Sequence, residues 1–297
     1  MTKSIKILSI LFLIFLQISV KQANSQEQKL ENSLLWEISG NGLKQSSFLF
    51  GTIHIIPEKD FVFTDLMKEK FDSCKILALE VDMDMSLKQK IDLAKRAMYP
   101  KGKSLQDYMT KEEYSNFKKY ILKDLGLKKK KFKQINKIQP IFASSIILME
   151  LLDDPIAYEM IFSKRAKKNN MKAIGLETIE YQMSVVEKMS IEDQVKMTFS
   201  SDKQGKRVDM LADFTKMVEA YKKQDLNALQ KMITEEGSEG DFEKDFLITR
   251  NNNWVDPIEK SVKENRTFFA VGAAHLPGEI GVINLLRKKG YTVKAVK

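Results

Sequence analysis

Phe48-Leu49-Phe50-Gly51-Thr52-Ile53-His54 recurs, lightly altered, near the other end of the chain as Phe268-Phe269-Ala270-Val271-Gly272-Ala273-Ala274-His275. The chain contains 2 histidines, and each stands three residues after a glycine that closes a short apolar, β-prone run. With 13 glycines among 297 residues, a shared offset of this kind is seldom met by chance. The pair is too far apart for a solenoid and reads as two related halves meeting at one site.

Ser47 to Phe50 and Thr267 to Val271 place apolar residues at successive positions, as expected of strands buried on both faces by covering helices. A glycine at the end of such a strand lets the backbone turn sharply where a side chain would clash. Each histidine then falls in the loop at the carboxyl end of its strand, where open α/β sheets bind their ligands.

Working outward, Leu34 to Ile38 and the turn residues Gly40-Asn41-Gly42 pair with the first histidine strand as a β-hairpin. An amphipathic helix spans about Phe61 to Phe71, and Ile76 to Asp82 is an apolar strand that ends in acids. From Ser86 to about Leu152 the pattern is helical, with a Thr110-x-x-Glu113 capping box and a Gln139-Pro140 step that opens an apolar helix through Leu151. A helix from Pro155 to about Lys168 leads to the short strand Met171 to Glu177. Helical patterns run from Ser190 through Ile233, broken at Gly205 and Asp225, and a loose Gly237 to Gly240 loop follows. A helix carrying Phe246, Arg250 and Trp254 precedes the second histidine strand, a helix over Glu279 to Lys289 and a last strand from Tyr291 to Val296. No Pro-, Gly- or Ser-rich linker divides the chain. The expected fold is therefore α/β, a mixed central sheet flanked by helices, as one domain over 26–297 with a large helical insertion over about 86–265.

Residues 1–25 read as a secretory signal peptide: Lys3 and Lys6, the apolar run Ile7 to Val20, and the small residues Ala23-Asn24-Ser25 for cleavage. No cysteine lies near that point, so a lipoprotein is not expected, and no later run is long and apolar enough to span a bilayer. Removing the leader takes Lys3, Lys6 and Lys21 from the formal +9 and leaves +6. Export to the periplasm or the extracellular space argues against a nucleic-acid partner, and Lys128 to Lys131 reads as a solvated helix end or loop. Cys74 is the single cysteine, which excludes an internal disulfide, and it ends an amphipathic stretch as a packed structural residue.

The chemistry-bearing set is two imidazoles with carboxylates at strand ends and no cysteine ligands. Neutral imidazole is a common ligand for zinc, iron, cobalt and manganese, so a divalent cation held by two histidines and one or two carboxylates is the expected site. Glu80 follows the apolar run Ile76 to Leu79 and should emerge at the same sheet edge as the histidines; Glu177 stands at a sharp strand-to-helix turn marked by Gly175 and Thr178. Gly-x-Ser-x-Gly, the phosphate-binding Gly-x-x-x-x-Gly-Lys-Ser/Thr and His-Glu-x-x-His are all missing from the sequence.

Leu49 to His54, Ala78 to Asp82, Gly175-Leu176-Glu177-Thr178-Ile179-Glu180-Tyr181-Gln182, Arg250-Asn251 with Trp254, and Gly272 to Gly278 together resemble the TraB/GumN/PrgY family, to which the Tiki proteases belong. The resemblance spans Trp36 to Val296. It implies a fold like that of erythromycin esterases and ChaN haem-binding proteins, with paired Gly-x-x-His loops and a glutamate forming a metal-dependent peptidase site. Ala157-Tyr158-Glu159 departs from the glycine and aspartate expected there, which puts a role for Glu159 in doubt. On this reading the chain is an exported metal-dependent hydrolase acting on a peptide or protein. His54, His275 and Glu177 hold the metal (Mn, Co, Zn or Fe), Glu80 takes a proton from water, and Arg250 stabilises oxyanion charge. The competing reading is a non-catalytic regulator that binds haem, iron or an uncut peptide with the same residues.

Overall fold

The structure is a computed structural model that describes residues 29–199, 210–235 and 244–297. The expected leader, the Gly205 break and the Gly237 to Gly240 loop lie outside the described residues. Described strands are β1 Leu35–Gly40, β2 Ser47–Thr52, β3 Ile55–Pro57, β4 Ile76–Val81, β5 Pro155–Ala157, β6 Lys172–Glu177, β7 Thr267–Gly272 and β8 Tyr291–Ala295. Described helices are α1 Asp65–Asp72, α2 Leu87–Arg96, α3 Lys111–Lys119, α4 Lys129–Ile135, α5 Pro140–Leu151, α6 Tyr158–Lys168, α7 Ile179–Glu187, α8 Ile191–Phe199, α9 Met210–Lys222, α10 Leu226–Glu235, α11 Arg250–Glu264 and α12 Val282–Lys288.

The protein is thus mixed α/β, and its residues gather into two compact units. The first, over 29–84, 156–186 and the described part of 216–297, contains a six-stranded sheet in the order β6-β4-β7-β2-β1-β8. Four strands, β6, β4, β7 and β2, run parallel, while β1 is antiparallel to both β2 and β8. The turn after β1 holds three consecutive residues at positive φ, Gly40, Asn41 and Gly42, which reverses the chain into β2. Every residue of β2, β4 and β7 is buried, the solid apolar pattern of strands covered on both faces. Phe50, Phe63, Phe71, Phe162 and Phe268 form the aromatic core of this unit, with ring centroids 4.8 Å apart for Phe71 and Phe268 and 5.5 Å for Phe50 and Phe162.

The second unit is helical and takes 85–155, 187–199 and 210–215. Helix α5 is predominantly apolar and buries Ile141, Phe142, Ala143, Ile146, Ile147 and Leu148, with Glu150 exposed near its end. Phe117 packs on Phe199 at 4.4 Å and on Phe132 at 6.3 Å. The Thr110–Glu113 capping box closes as its spacing requires. Within the 86–265 stretch read as insertion, residues 156–186, including β6, belong to the sheet unit.

The helix expected over Glu279 to Lys289 spans Val282–Lys288, and two further boundaries differ from the sequence reading. Helix α1 begins at Asp65, because the Thr64 side chain accepts the Met67 N–H and caps it there; Phe61 and Phe63 lie in the approach. Residues Pro155 to Ala157, expected to be helical, extend instead as β5 and pair with β3. Cys74 is buried, and burial pushes its thiol up to about 12, in keeping with a structural residue.

Candidate functional site

Because β6, β4, β7 and β2 are adjacent and parallel, all four finish at one edge of the sheet. Register fixes what that edge presents: Val81 pairs with Glu177, Leu79 with Ala270, and Thr52 with Gly272. Glu177, Glu80, the turn leading to His275, and the turn leading to His54 are therefore neighbours in strand order, although they span most of the chain.

The glycine of the first turn works differently from the sequence expectation. Gly51 lies within β2, and a Cβ there would stand 2.9 Å from Leu276 Cδ1 and 3.1 Å from Ala273 Cα. Its role is to let the turn carrying His275 approach β2. The residue in the left-handed region is His54 itself, at φ +57°. A non-glycine residue there costs on the order of 1–3 kcal/mol unless its surroundings hold it. The hold is visible: the Tyr158 N–H donates to the His54 carbonyl at 3.0 Å, and Tyr158 is locked in the aromatic core against Phe50. Glu159, the next residue, then brings its carboxylate to His54 Nδ1 at 2.6 Å, where Thr52 Oγ1 also donates to it at 3.0 Å.

His275 is anchored in parallel fashion. Its Nδ1 meets Asn251 Oδ1 at 2.6 Å, and the amide is oriented because Asn251 Nδ2 donates to the Ile280 carbonyl at 2.9 Å. Each imidazole thus directs Nδ1 at an oxygen acceptor, and the Nε2 lone pair of His275 accepts from Arg250 Nη1 at 3.3 Å. The two Nε2 atoms lie 3.8 Å and 3.9 Å from a single atom, Glu80 Oε1.

Arg250, the first residue of α11, joins the acids. Its Nη2 donates to Glu80 Oε2 at 2.5 Å and to Glu177 Oε1 at 2.7 Å, and Nε donates to both Glu177 oxygens at 3.0 Å and 3.1 Å. Trp254 Nε1 adds a bond to Glu177 at 2.9 Å, and the Trp254 ring lies under the guanidinium at 4.8 Å and beside the His275 ring at 4.4 Å. Gln182 Nε2 bridges the two acids, at 3.3 Å from Glu80 and 3.1 Å from Glu177. Glu80 Oε1 also accepts the Gly272 N–H at 2.7 Å.

These contacts set the protonation of a site that is almost wholly buried. For Glu80, burial raises the pKa, but Arg250, the two histidines and the Gly272 N–H outweigh it and hold the carboxyl down at about 2. For Glu177, burial wins and the pKa is raised in spite of Arg250. That sits awkwardly beside the Arg250 pKa, which Glu80 and Glu177 raise against the opposing effect of burial. The geometry decides the pair: with donors from Arg250, Trp254 and Gln182 all directed at it, Glu177 is ionised at neutral pH, and it is the acid that protonates before Glu80 on acidification. The imidazoles part company. Burial, reinforced by the Arg250 cation, pushes His275 down to about 3. Burial also works against a proton on His54, but Glu159, with Glu80 behind it, overcomes this and raises its pKa.

Whether a divalent cation suits these residues turns on two observations. Among the described residues no group of three or more His, Cys, Asp or Glu side chains is arranged as a metal cage. The donor set nonetheless fits: the Nε2 atoms of two imidazoles converge on one carboxylate oxygen, each ring backed on its far nitrogen by an oxygen acceptor. Formally, three carboxylates (Glu80, Glu159, Glu177) face one guanidinium, so negative charge stays in excess even when His54, whose pKa is raised, carries a proton. Buried charge of that size calls for a counter-charge.

All five residues singled out in the sequence, His54, Glu80, Glu177, Arg250 and His275, lie in this one network. Glu177, expected beside the metal, has its oxygens turned to Arg250, Trp254 and Gln182, whereas Glu80, expected as the base, faces the imidazoles. Glu159, whose role the departure at Ala157-Tyr158-Glu159 puts in doubt, is the partner of His54. Its signal was the buried tyrosine before it, which is legible only once β2 and α6 are packed together. Asn251 and Gln182 were visible as motif residues without roles.

A parallel sheet edge that presents two inward imidazoles beside an arginine-clamped pair of acids defines an α/β protein with a two-histidine, acid-lined site. The model described as the TraB/PrgY/gumN family matches residues 34–295, nearly the whole chain. The chain belongs to this family. No curated protein and no solved structure matches it.

Proposed function

We propose that this protein is an exported metal-dependent hydrolase of the peptidase kind. The observation that carries the reading is the convergence of His54 Nε2 and His275 Nε2 on Glu80 Oε1, with both tautomers set from outside. His54, His275 and Glu80 would hold the cation. This exchanges the roles expected for the two glutamates: a carboxyl held at about 2 is a weak proton acceptor at neutral pH and a good cation ligand, while Glu177 is occupied in clamping Arg250. When bound, a divalent cation polarises a carbonyl and lowers the pKa of water.

The chain's own residues supply the rest. Glu159 and Asn251 keep the imidazole lone pairs aimed inward. Arg250 commits Nε and Nη2 to the two acids, while Nη1 donates to the Phe246 carbonyl and to His275 Nε2, both at 3.3 Å; with the His275 lone pair given to a cation, that second Nη1 hydrogen could meet oxyanion charge. Among the described residues no helix is long and apolar enough to cross a membrane.

Metal analysis of untagged protein tests the reading. His54→Ala, His275→Ala and Glu80→Gln should each weaken divalent-metal binding by more than the ~10–100-fold typical of a lost supporting contact, with circular dichroism unchanged. Wild-type stoichiometry and affinity in both histidine variants would overturn the site. Metal-replete protein that binds haem or a peptide without cleaving any member of an unbiased peptide library would favour the regulator over the hydrolase. N-terminal sequencing of the exported form tests the leader, and an intact Met1 in a membrane fraction contradicts it.

A further inference from the structure

Charge is distributed unevenly along the chain. Residues 85–155, most of the helical unit, hold 16 lysines and arginines against 8 aspartates and glutamates, whereas the remainder of the chain holds 33 against 32. The excess of base therefore lies in the helical unit.

The same unit exposes apolar side chains. Of the four large hydrophobic residues exposed among the described ones, three are Leu87 at 73%, Ile91 at 45% and Met98 at 46%. Leu87 and Ile91 are four residues apart on α2 and share one side of the helix; Met98 lies beyond its end, in a bridge to Ile138. Leu93 is buried on the opposite side and fastens the helix to its unit. Lys88 and Lys95, both exposed, border the apolar stripe on one flank, with Lys90 on the other. The Ser86–Gln89 capping box forms the helix in advance of any partner.

We propose that this face of α2 docks on an anionic lipid surface. Leu87 and Ile91 would enter the headgroup boundary while the flanking lysines reach back to lipid phosphates, the arrangement of an in-plane amphipathic helix. A basic surface alone would suit any polyanion. The exposed apolar stripe between lysines selects a lipid surface, since a nucleic acid or acidic polysaccharide gives Leu87 and Ile91 nothing to enter. Neither the hydrolase reading nor the metal is needed for this inference.

Vesicle flotation tests it, using the protein as the cell delivers it with its N-terminus read by mass spectrometry. Phosphatidylcholine vesicles with and without one part in three of phosphatidylglycerol are compared. Binding should require the anionic lipid and fall steeply with salt. Leu87→Ser/Ile91→Ser, at exposed positions that leave the fold intact by circular dichroism, should lower partitioning by about tenfold or more. Lys88→Glu/Lys95→Glu should abolish the preference for anionic vesicles. Equal partition into neutral vesicles, unaltered binding by Leu87→Ser/Ile91→Ser, or displacement by a soluble polyanion with no dependence on the apolar pair would each overturn the proposal.

Discussion

At the scale of single residues, two histidines with the same sequence context acquire different chemistry from one outer contact each. His54 has a carboxylate behind it and His275 an amide, and Arg250 stands beside His275. Because the chain has 2 histidines, nitrogen-15 spectra of the metal-free protein resolve them without assignment by elimination. His275 should show the neutral Nδ1–H tautomer at neutral pH, whereas His54, its pKa raised by Glu159, should take up a second proton first on acidification. Replacing Glu159 by Ala should release His54 into mixed tautomers while His275 keeps its own; unchanged spectra would refute the role given to Glu159. The buried ion cluster makes a second expectation. Arg250→Ala leaves Glu80 and Glu177 without their cation and should cost about 3–5 kcal/mol in urea unfolding. A loss below about 1 kcal/mol would mean that the acids find another counter-charge.

At the scale of elements, the site depends on how closely one turn can approach one strand. Gly51→Ala introduces a Cβ at 2.9 Å from Leu276 Cδ1 and 3.1 Å from Ala273 Cα, in a strand that is buried throughout. Leu276 can rotate, but the Ala273 backbone cannot. The variant should lose about 1–3 kcal/mol of stability and bind divalent metal more weakly, because the turn carrying His275 is pushed from β2. Gly175→Ala should be costlier, since its Cβ would meet backbone atoms, Asp82 N at 2.7 Å and Glu177 O at 2.8 Å. Denaturant midpoints for the two variants decide the order.

At the scale of the whole molecule, the site's protonation becomes a dependence of folding on pH. His275 is held down at about 3 in the folded chain against 6.5 ordinarily, so the unfolded chain takes a proton first as pH falls. Its contribution is present above pH 6.5 and is lost between 6.5 and about 3, by up to ~1.4 kcal/mol per pH unit. Glu80 adds a loss in the same direction from 4.5 toward about 2. His54 and Glu177, both raised, act oppositely and favour the folded chain on acidification. In metal-free protein, His275→Gln should therefore lose less stability than wild type between pH 7 and pH 4; parallel curves from chemical denaturation would refute the neutral, buried His275.

What the sequence determined by itself is local or periodic. Unbroken apolar runs marked β2, β4 and β7 as buried strands; Thr110 and Glu113 closed their capping box; Pro140 opened α5; and the repeated Gly-x-x-His spacing placed two histidines after two strands. Such features rest on a few adjacent residues and on propensities that act within them. Tertiary structure decided which strands are neighbours, and with that which donors meet. β2 and β7 adjoin although the chain between them is long, and His54 finds Glu159 at a separation of 105 residues. Nothing near Glu159 in sequence carries that contact; it follows from Tyr158 entering the aromatic core. The exchange of places between Glu80 and Glu177 has the same origin: Arg250, arriving on α11, bonds every oxygen of Glu177 but only the far oxygen of Glu80, which leaves the near one facing both imidazoles.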